Sequence, residues 1–286
     1  MSRPDSSTSV FAAGLCVLAL ALVLSLGAWA PARADAAGDA LFAPFDALYL
    51  AAVLDAQATL AHAKAPPPAP DIRDISPDNP ALVWSGEPGE SRVLVTLFTR
   101  SSYYSAFAPG DVFPAAVDLW VLPAPQLRDG VKAGNPLGAS LSPGLAASQY
   151  LGLPPRNAND AVVSLWVAPS DMLRPAIDPR IDTHELETSF FVTLQTVPLT
   201  PAPVLPGNPG CAGCPPAASY AAWFLGRQAS IFRLDAGYTP YPWTGLGYTY
   251  DWTPGAPDVV GGSEFIVRAG SPVVFQDMTP AGDYFR

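Results

Sequence analysis

Charge is what this sequence has least of. Only 14% of its 286 residues are Asp, Glu, Lys or Arg, against about 25% in an ordinary soluble chain. Positive charge is the scarcer kind: 15 Lys and Arg stand against 25 Asp and Glu, for a net charge of −10. Such a surface repels phosphate backbones and anionic lipid headgroups. Nucleic acid is therefore excluded as a partner, and membrane contact is left to the N-terminus alone. Histidine is nearly missing, with His62 and His184 the only two. A zinc-protease helix needs two His four residues apart, and Thr188 stands where the second would be. Cysteine is limited to Cys16, Cys211 and Cys214, too few for a closed four-ligand zinc site. No G-x-S-x-G, no Walker-type phosphate loop and no dinucleotide fingerprint occurs. No motif specifies a cofactor.

Proline and apolar residues are abundant: 34 prolines, and 49% hydrophobic residues. That is enough apolar surface for one sizeable core. Proline at this density works against long helices and for short elements joined by stiff turns. The N-terminus reads as a signal peptide over residues 1–34. Arg3 precedes an uncharged apolar run from Val10 to Ala30, and Ala32-Arg33-Ala34 supplies the small-x-small cleavage pattern. The alternative is an uncleaved anchor, since the run has about the ~20 residues a spanning helix needs. The address is thus secreted or periplasmic, or membrane-anchored if the leader stays. Past the leader only Cys211 and Cys214 remain. In an oxidising compartment a disulfide between them is expected. Their C-x-x-C spacing before a helix also fits a redox pair, but no βαβ pattern surrounds it.

One unit is used twice. Val117 to Arg128 reads VDLWVLPAPQLR, and Val163 to Arg174 reads VSLWVAPSDMLR, with seven identities in twelve positions and no gap. Each copy reads as a strand, a proline stop and a turn closed by Leu-Arg. Alternate strand residues share a face. Val117, Leu119 and Val121, like Val163, Leu165 and Val167, are expected to face one interior, with Trp120 and Trp166 on the opposite side.

Around this unit the pattern divides the chain into three. Ala43 to Lys64 has apolar residues at three- and four-residue steps, an amphipathic helix. With the Pro-rich spacer 65–70 it makes an N-terminal region of residues 35–70. Residues 71–286 form the main domain. Leu82 to Ser85 and Arg92 to Arg100 flank a Gly/Pro turn and predict a hairpin. Ser142, Pro143 and Gly152 bracket a short helix. Strands are expected at Phe190 to Val197, Gly247 to Trp252, Glu264 to Arg268 and Pro272 to Phe275, with a helix over Ala217 to Phe232. The fold class is α+β: a β-rich core, as an antiparallel sandwich or open barrel, with a few packed helices.

Two stretches can carry chemistry. Asp178-Pro179-Arg180-Ile181-Asp182-Thr183-His184-Glu185 is the densest polar cluster. Asp178 and Pro179 read as a helix start, which would put Asp178, Asp182 and Glu185 on one face. Asp178, Asp182 and His184 could hold a divalent cation. Alternatively His184, Asp182 and Glu185, with Arg174, could run acid–base hydrolysis. A solvated acidic turn uses the same residues with no chemistry at all. The second stretch, Tyr238 to Trp252, carries Tyr241, Trp243, Tyr248, Tyr250 and Trp252. Aromatic faces beside a carboxylate can stack on sugars or hold cations, and they can equally pack as core under the helix at 217–232.

The stretches LGLPP (Leu151 to Pro155), SLWVAPSDMLRPAIDP (Ser164 to Pro179), YPWTGLGYTYDW (Tyr241 to Trp252) and SEFIV (Ser263 to Val267) together resemble a group of secreted bacterial proteins with no assigned activity. The resemblance covers much of the chain after Leu151. It implies an extracytoplasmic, single-domain protein and brings no catalytic residues. The loop that carries Cys211 and Cys214 is not a feature of that group. The leading expectation is an exported binding or interaction module whose partner is a small molecule, a glycan or an envelope protein. The alternative is a hydrolase built on the acid/His cluster.

Overall fold

The computed structural model describes residues 36–61, 72–184, 220–234 and 237–286. The leader, the spacer at 65–70, the strand expected at 190–197 and the loop with Cys211 and Cys214 lie outside the described residues, as do His62 and Glu185. The fold is α+β with a β-rich core. In chain order the helices are α1 (Ala36–Leu60), α2 (Gln126–Gly134), α3 (Pro136–Leu141), α4 (Pro143–Tyr150), α5 (Tyr220–Ile231) and α6 (Ala281–Tyr284). The strands are β1 (Val93–Thr99), β2 (Val112–Pro114), β3 (Leu119–Pro123), β4 (Ala161–Val167), β5 (Met172–Leu173), β6 (Tyr248–Tyr250), β7 (Val260–Ser263), β8 (Phe265–Val267) and β9 (Pro272–Pro280). Seven of them form one sheet in the order β2-β9-β4-β1-β3-β8-β5, and β6 pairs with β7 in a separate ribbon. Neighbours in the sheet are antiparallel.

The two copies of the repeat flank β1. Val95 is paired with Pro123 of β3 on one side and Leu165 of β4 on the other. Both copies run antiparallel to β1, and therefore parallel to each other. Leu119, Val121, Val163, Leu165 and Val167 enter one cluster with Val93, Val95, Leu97, Phe265, Val267, Val273 and Phe275. The expected interior row holds for five of its six members; Val117 precedes β3 and is 54% exposed. Trp120 and Trp166 alternate to the other face and are half-buried. The hairpin before β1 forms, but its first arm makes only a bridge, Trp84 to Val93.

After their strands the copies diverge. In the first, Leu127 and Arg128 lie in the first turn of α2; in the second, Leu173 ends β5. The cause is the next residue. Pro175 follows Arg174 and disfavours helical backbone at the arginine, whereas Asp129 follows Arg128 and suits a helix's first turn.

Helices cover the face that carries Trp120. Tyr49, Ala52, Val53, Ala56 and Leu60 of α1 and Tyr220, Trp223, Phe224 and Ile231 of α5 pack with Leu173, Ile266, Trp243 and Trp252. α1 begins earlier than its pattern predicts, with Pro44 inside it, and Leu48 is exposed. It is pinned by Tyr49 OH donating to the Pro240 carbonyl (2.7 Å), Tyr250 OH donating to Asp55 (3.0 Å), and an Arg156–Asp46 ion pair at 2.8 Å. By length and composition alone Leu41–Leu60 would cross a membrane; a core-packing helix passes the same test, and this one contributes its buried stripe to the core.

The repeat positions predict unequal consequences of truncation. Leu165→Ala, fully buried, is expected to lower unfolding free energy by about 2–5 kcal/mol. Val117→Ala is expected to stay within about 0.5 kcal/mol. Urea denaturation midpoints measure both, and equal effects would contradict the placement.

Candidate functional site

Among the described residues the acid/His cluster does not come together. Residues 178–184 contain no helix, which corrects the start expected at Asp178. Asp178 is buried and turned back on its own chain, accepting from the Arg180 backbone N–H (3.0 Å) and from the Arg180 guanidinium. This local side-chain-to-backbone bonding competes with a helical turn. Asp182 and His184 are exposed, and Glu185 lies outside the described residues. Among the described residues no three His, Cys, Asp or Glu side chains are placed to hold a metal ion. The grouping Asp178, Asp182 and His184 is therefore not brought together as a ligand set.

Arg174 is 2% exposed, yet it faces no catalytic cleft. Its guanidinium donates to the carbonyls of Arg73 (2.8 Å), Thr183 (2.8 Å), Arg180 (3.3 Å) and Gly247 (3.4 Å), and lies 4.6 Å from the Phe265 ring centroid. Burial lowers its pKa to about 10, with Asp178, Asp74 and Asp182 pulling the other way, so it remains a cation at neutral pH. Gly247 is required beside it. Its φ is +85°, and a Cβ there would meet Arg174 Cδ at 2.6 Å. Arg128, the matching residue of the first copy, is exposed and pairs with Asp129.

The aromatic stretch builds a cavity of about 410 Å³. Thr244 closes its turn: Oγ1 donates to the Tyr248 carbonyl (2.6 Å) and accepts from the Leu246 N–H (3.2 Å). That turn swings Trp243, Tyr248 and Tyr250 against the sheet. Tyr238, Tyr241, Trp243, Tyr248 and Tyr250 line one side, Thr96, Phe98, Trp120 and Leu122 the sheet side, and Arg227 and Ile231 of α5 the roof. Leu151 and Leu153, half-buried, also line it. Four of the five expected binding aromatics thus face the cavity. Trp252 does not line it: its indole N–H donates to the Leu153 carbonyl (3.1 Å) and its ring packs edge-on against Tyr49. The same stretch packs beneath α5, where Trp243 lies 4.9 Å from Phe224 and 6.3 Å from Trp223 between ring centroids.

Two charged residues that the pattern reading did not single out define the cavity's electrostatics. Glu264 lines it at 8% exposure, and its Oε2 has no hydrogen-bond partner among the described residues. Burial pushes its pKa up to about 8, and the nearby Arg227 partly offsets this. The carboxyl is therefore mostly protonated at neutral pH. The Arg227 guanidinium lies 5.1 Å from the Trp120 ring centroid. Burial raises the pKa of Tyr241, Tyr248 and Tyr250, and Asp55 adds to the effect at Tyr250, so these phenols stay neutral. The Trp243 indole N–H is buried with no partner among the described residues. A sequence signal for Arg227 exists: it continues the stripe of Tyr220, Trp223, Phe224 and Ile231 at three- and four-residue steps, a charge where an apolar residue belongs. Glu264 likewise is an acid on the edge of the apolar run FIV.

No family model matches this chain, and no curated protein or solved structure matches it either.

Two predictions follow from these burials. Arg174→Met orphans four carbonyls, each costing about 1–3 kcal/mol, so a loss of at least ~3 kcal/mol is expected; Arg128→Met should change stability by less than about 0.5 kcal/mol. Chemical denaturation of the two variants checks the contrast. Glu264 gives a pH signature. Its acid is neutral in the folded chain up to about pH 8 but ionises near pH 4.5 once unfolded. Through that window the folded state holds more protons, so its contribution to stability falls as pH rises, by up to about 1.4 kcal/mol per unit. It is flat above and below. The stability advantage of Glu264→Gln over wild type should widen across the window; an advantage independent of pH would show Glu264 ionised in the fold.

Proposed function

We propose that this protein is an exported binding module of the cell envelope that takes a small molecule into the aromatic cavity. The observation that carries the reading is a ≈ 410 Å³ space walled by aromatic rings, two of whose lining residues, Glu264 and Trp243, each hold a buried polar atom without a partner among the described residues. Small-molecule sites have volumes of about 300–1,000 Å³, apolar walls and a few placed polar groups. Each unpartnered buried polar group costs about 1–3 kcal/mol, a penalty that a bound ligand relieves. Export rests on Arg3, the apolar run from Val10 to Ala30 and the cleavage pattern at Ala32-Arg33-Ala34. The charge balance and the resemblance to secreted proteins agree with it. Hydrolysis by Asp182, His184 and Glu185 draws no support from the exposed placement of Asp182 and His184.

The test uses the lining. Leu153→Trp places a large ring in the cavity wall. A panel of ring compounds and simple sugars is screened against wild type and variant by thermal shift and by tryptophan fluorescence, since Trp120 and Trp243 line the space. A compound at 100 times its Kd is expected to stabilise wild type by about 2.7 kcal/mol and to leave Leu153→Trp unmoved. A panel that never distinguishes the two proteins would sink the reading.

A further inference from the structure

Four side-chain hydroxyls of the cavity lining are committed elsewhere. Thr96 Oγ1 donates to the Leu122 carbonyl (3.4 Å), Thr249 Oγ1 to the Tyr150 carbonyl (2.7 Å), Thr244 Oγ1 to the Tyr248 carbonyl (2.6 Å), and Tyr250 OH to Asp55 (3.0 Å). Buried and without a partner among the described residues are Trp243 Nε1 and Glu264 Oε2. An indole N–H can only donate. A carboxyl group kept neutral by burial also has a proton to give. The nearest fixed charge is Arg227, a permanent cation on the roof. Residues that carry these donors and a positive charge therefore line one space whose walls are aromatic rings.

We infer that the ligand is a small planar ring carboxylate, its ring among the aromatic walls and its carboxylate accepting from the Trp243 indole N–H and the Glu264 carboxyl. This rests on the binding reading above and names its ligand class. Charge-assisted bonds of this kind are roughly twice as strong as neutral ones. A sugar offers hydroxyls but no negative charge to set against Arg227, which also lines the space. An organic cation would have to approach Arg227, with no counter-charge from Glu264 while that carboxyl is neutral.

The same geometry sets a pH dependence. The groups that face Glu264 are Arg227 and Tyr220 of α5, with Asp118, Tyr238 and Tyr241 acting around Arg227. Burial raises the pKa of Tyr220, Tyr241 and Asp118. Once Glu264 ionises it stops donating and repels the ligand's own charge.

The experiment is calorimetric titration of the purified mature protein with benzoate and its near-isosteres benzyl alcohol and benzylamine, across about pH 6 to 9. Benzoate is expected to bind tightest of the three, and its affinity to fall by up to about tenfold per unit once pH exceeds the Glu264 pKa. In Glu264→Gln, whose amide donates at every pH, affinity at the acid end is lower and the decline is gone. Trp243→Phe is expected to weaken benzoate by about tenfold. Thermal unfolding of each variant separates loss of the site from loss of the fold. Tighter binding of benzylamine or benzyl alcohol, or benzoate affinity that rises or stays level with pH, would overturn the ligand class while leaving the binding reading standing. Failure of all three compounds, together with a screening panel that Leu153→Trp does not affect, would remove both.

Discussion

A single buried guanidinium holds the fold's irregular parts to its regular ones. Arg174 leaves β5 and donates to carbonyls at 73, 180, 183 and 247, four points of chain with no regular structure to satisfy them. Backbone carbonyls buried outside helices and sheets need partners. A planar fork with five donors can supply several at once, which an ammonium on a flexible stem does less well. Tyr220 OH then donates to the Arg174 and Ala176 carbonyls, at 2.9 and 2.6 Å, so α5 is docked on the same knot. The charge remains on the guanidinium because the surrounding carbonyl dipoles and nearby acids offset its desolvation.

The cavity depends on that knot. Gly247 approaches the Arg174 side chain closely and its carbonyl accepts from it, so the turn at 244–247 is held from beneath while Thr244 closes it from within. The turn in turn aims Trp243, Tyr248 and Tyr250. The Glu264 N–H donates to the Gly247 carbonyl at 2.9 Å, which ties the buried acid to the same point. Alternation along Glu264, Phe265 and Ile266 then separates the cation from the buried acid: Phe265 lies against Arg174, and Glu264 turns with Ile266 toward the helices. One strand thus serves the structural cation on one side and the cavity on the other.

The repeat shows how far local pattern carries. Both copies are strands because period-two apolar alternation can bury only one sheet face, and that is visible in VDLWV and VSLWV alone. Their ends part company because of a single following residue, Pro175 against Asp129. The helical period of α5 is visible in the same way, and Arg227 falls on the stripe of Tyr220, Trp223, Phe224 and Ile231. The Asp178-Pro179 pair signals a helix start only locally, while the Arg174 side chain binds the carbonyls of Arg180 and Thr183 outside any helix. For Tyr241, Trp243, Tyr248 and Tyr250, core packing and cavity lining are both true: all four pack in or against apolar clusters and all four line the space.

By itself the sequence determined the elements: which runs alternate as strands, which carry a helical stripe, where proline and glycine stop them, and that the chain is too poor in histidine and positive charge for several common chemistries. These are properties of neighbours a few residues apart, and propensity and period express them directly. Only the tertiary structure decided that the repeated strands flank β1, that Arg174 is interior while Arg128 is surface, and that Glu264 and Trp243 face a common space. Burial sets those outcomes. A charge's state and a donor's partner depend on what the rest of the chain places around it, and that arrangement has no period to read.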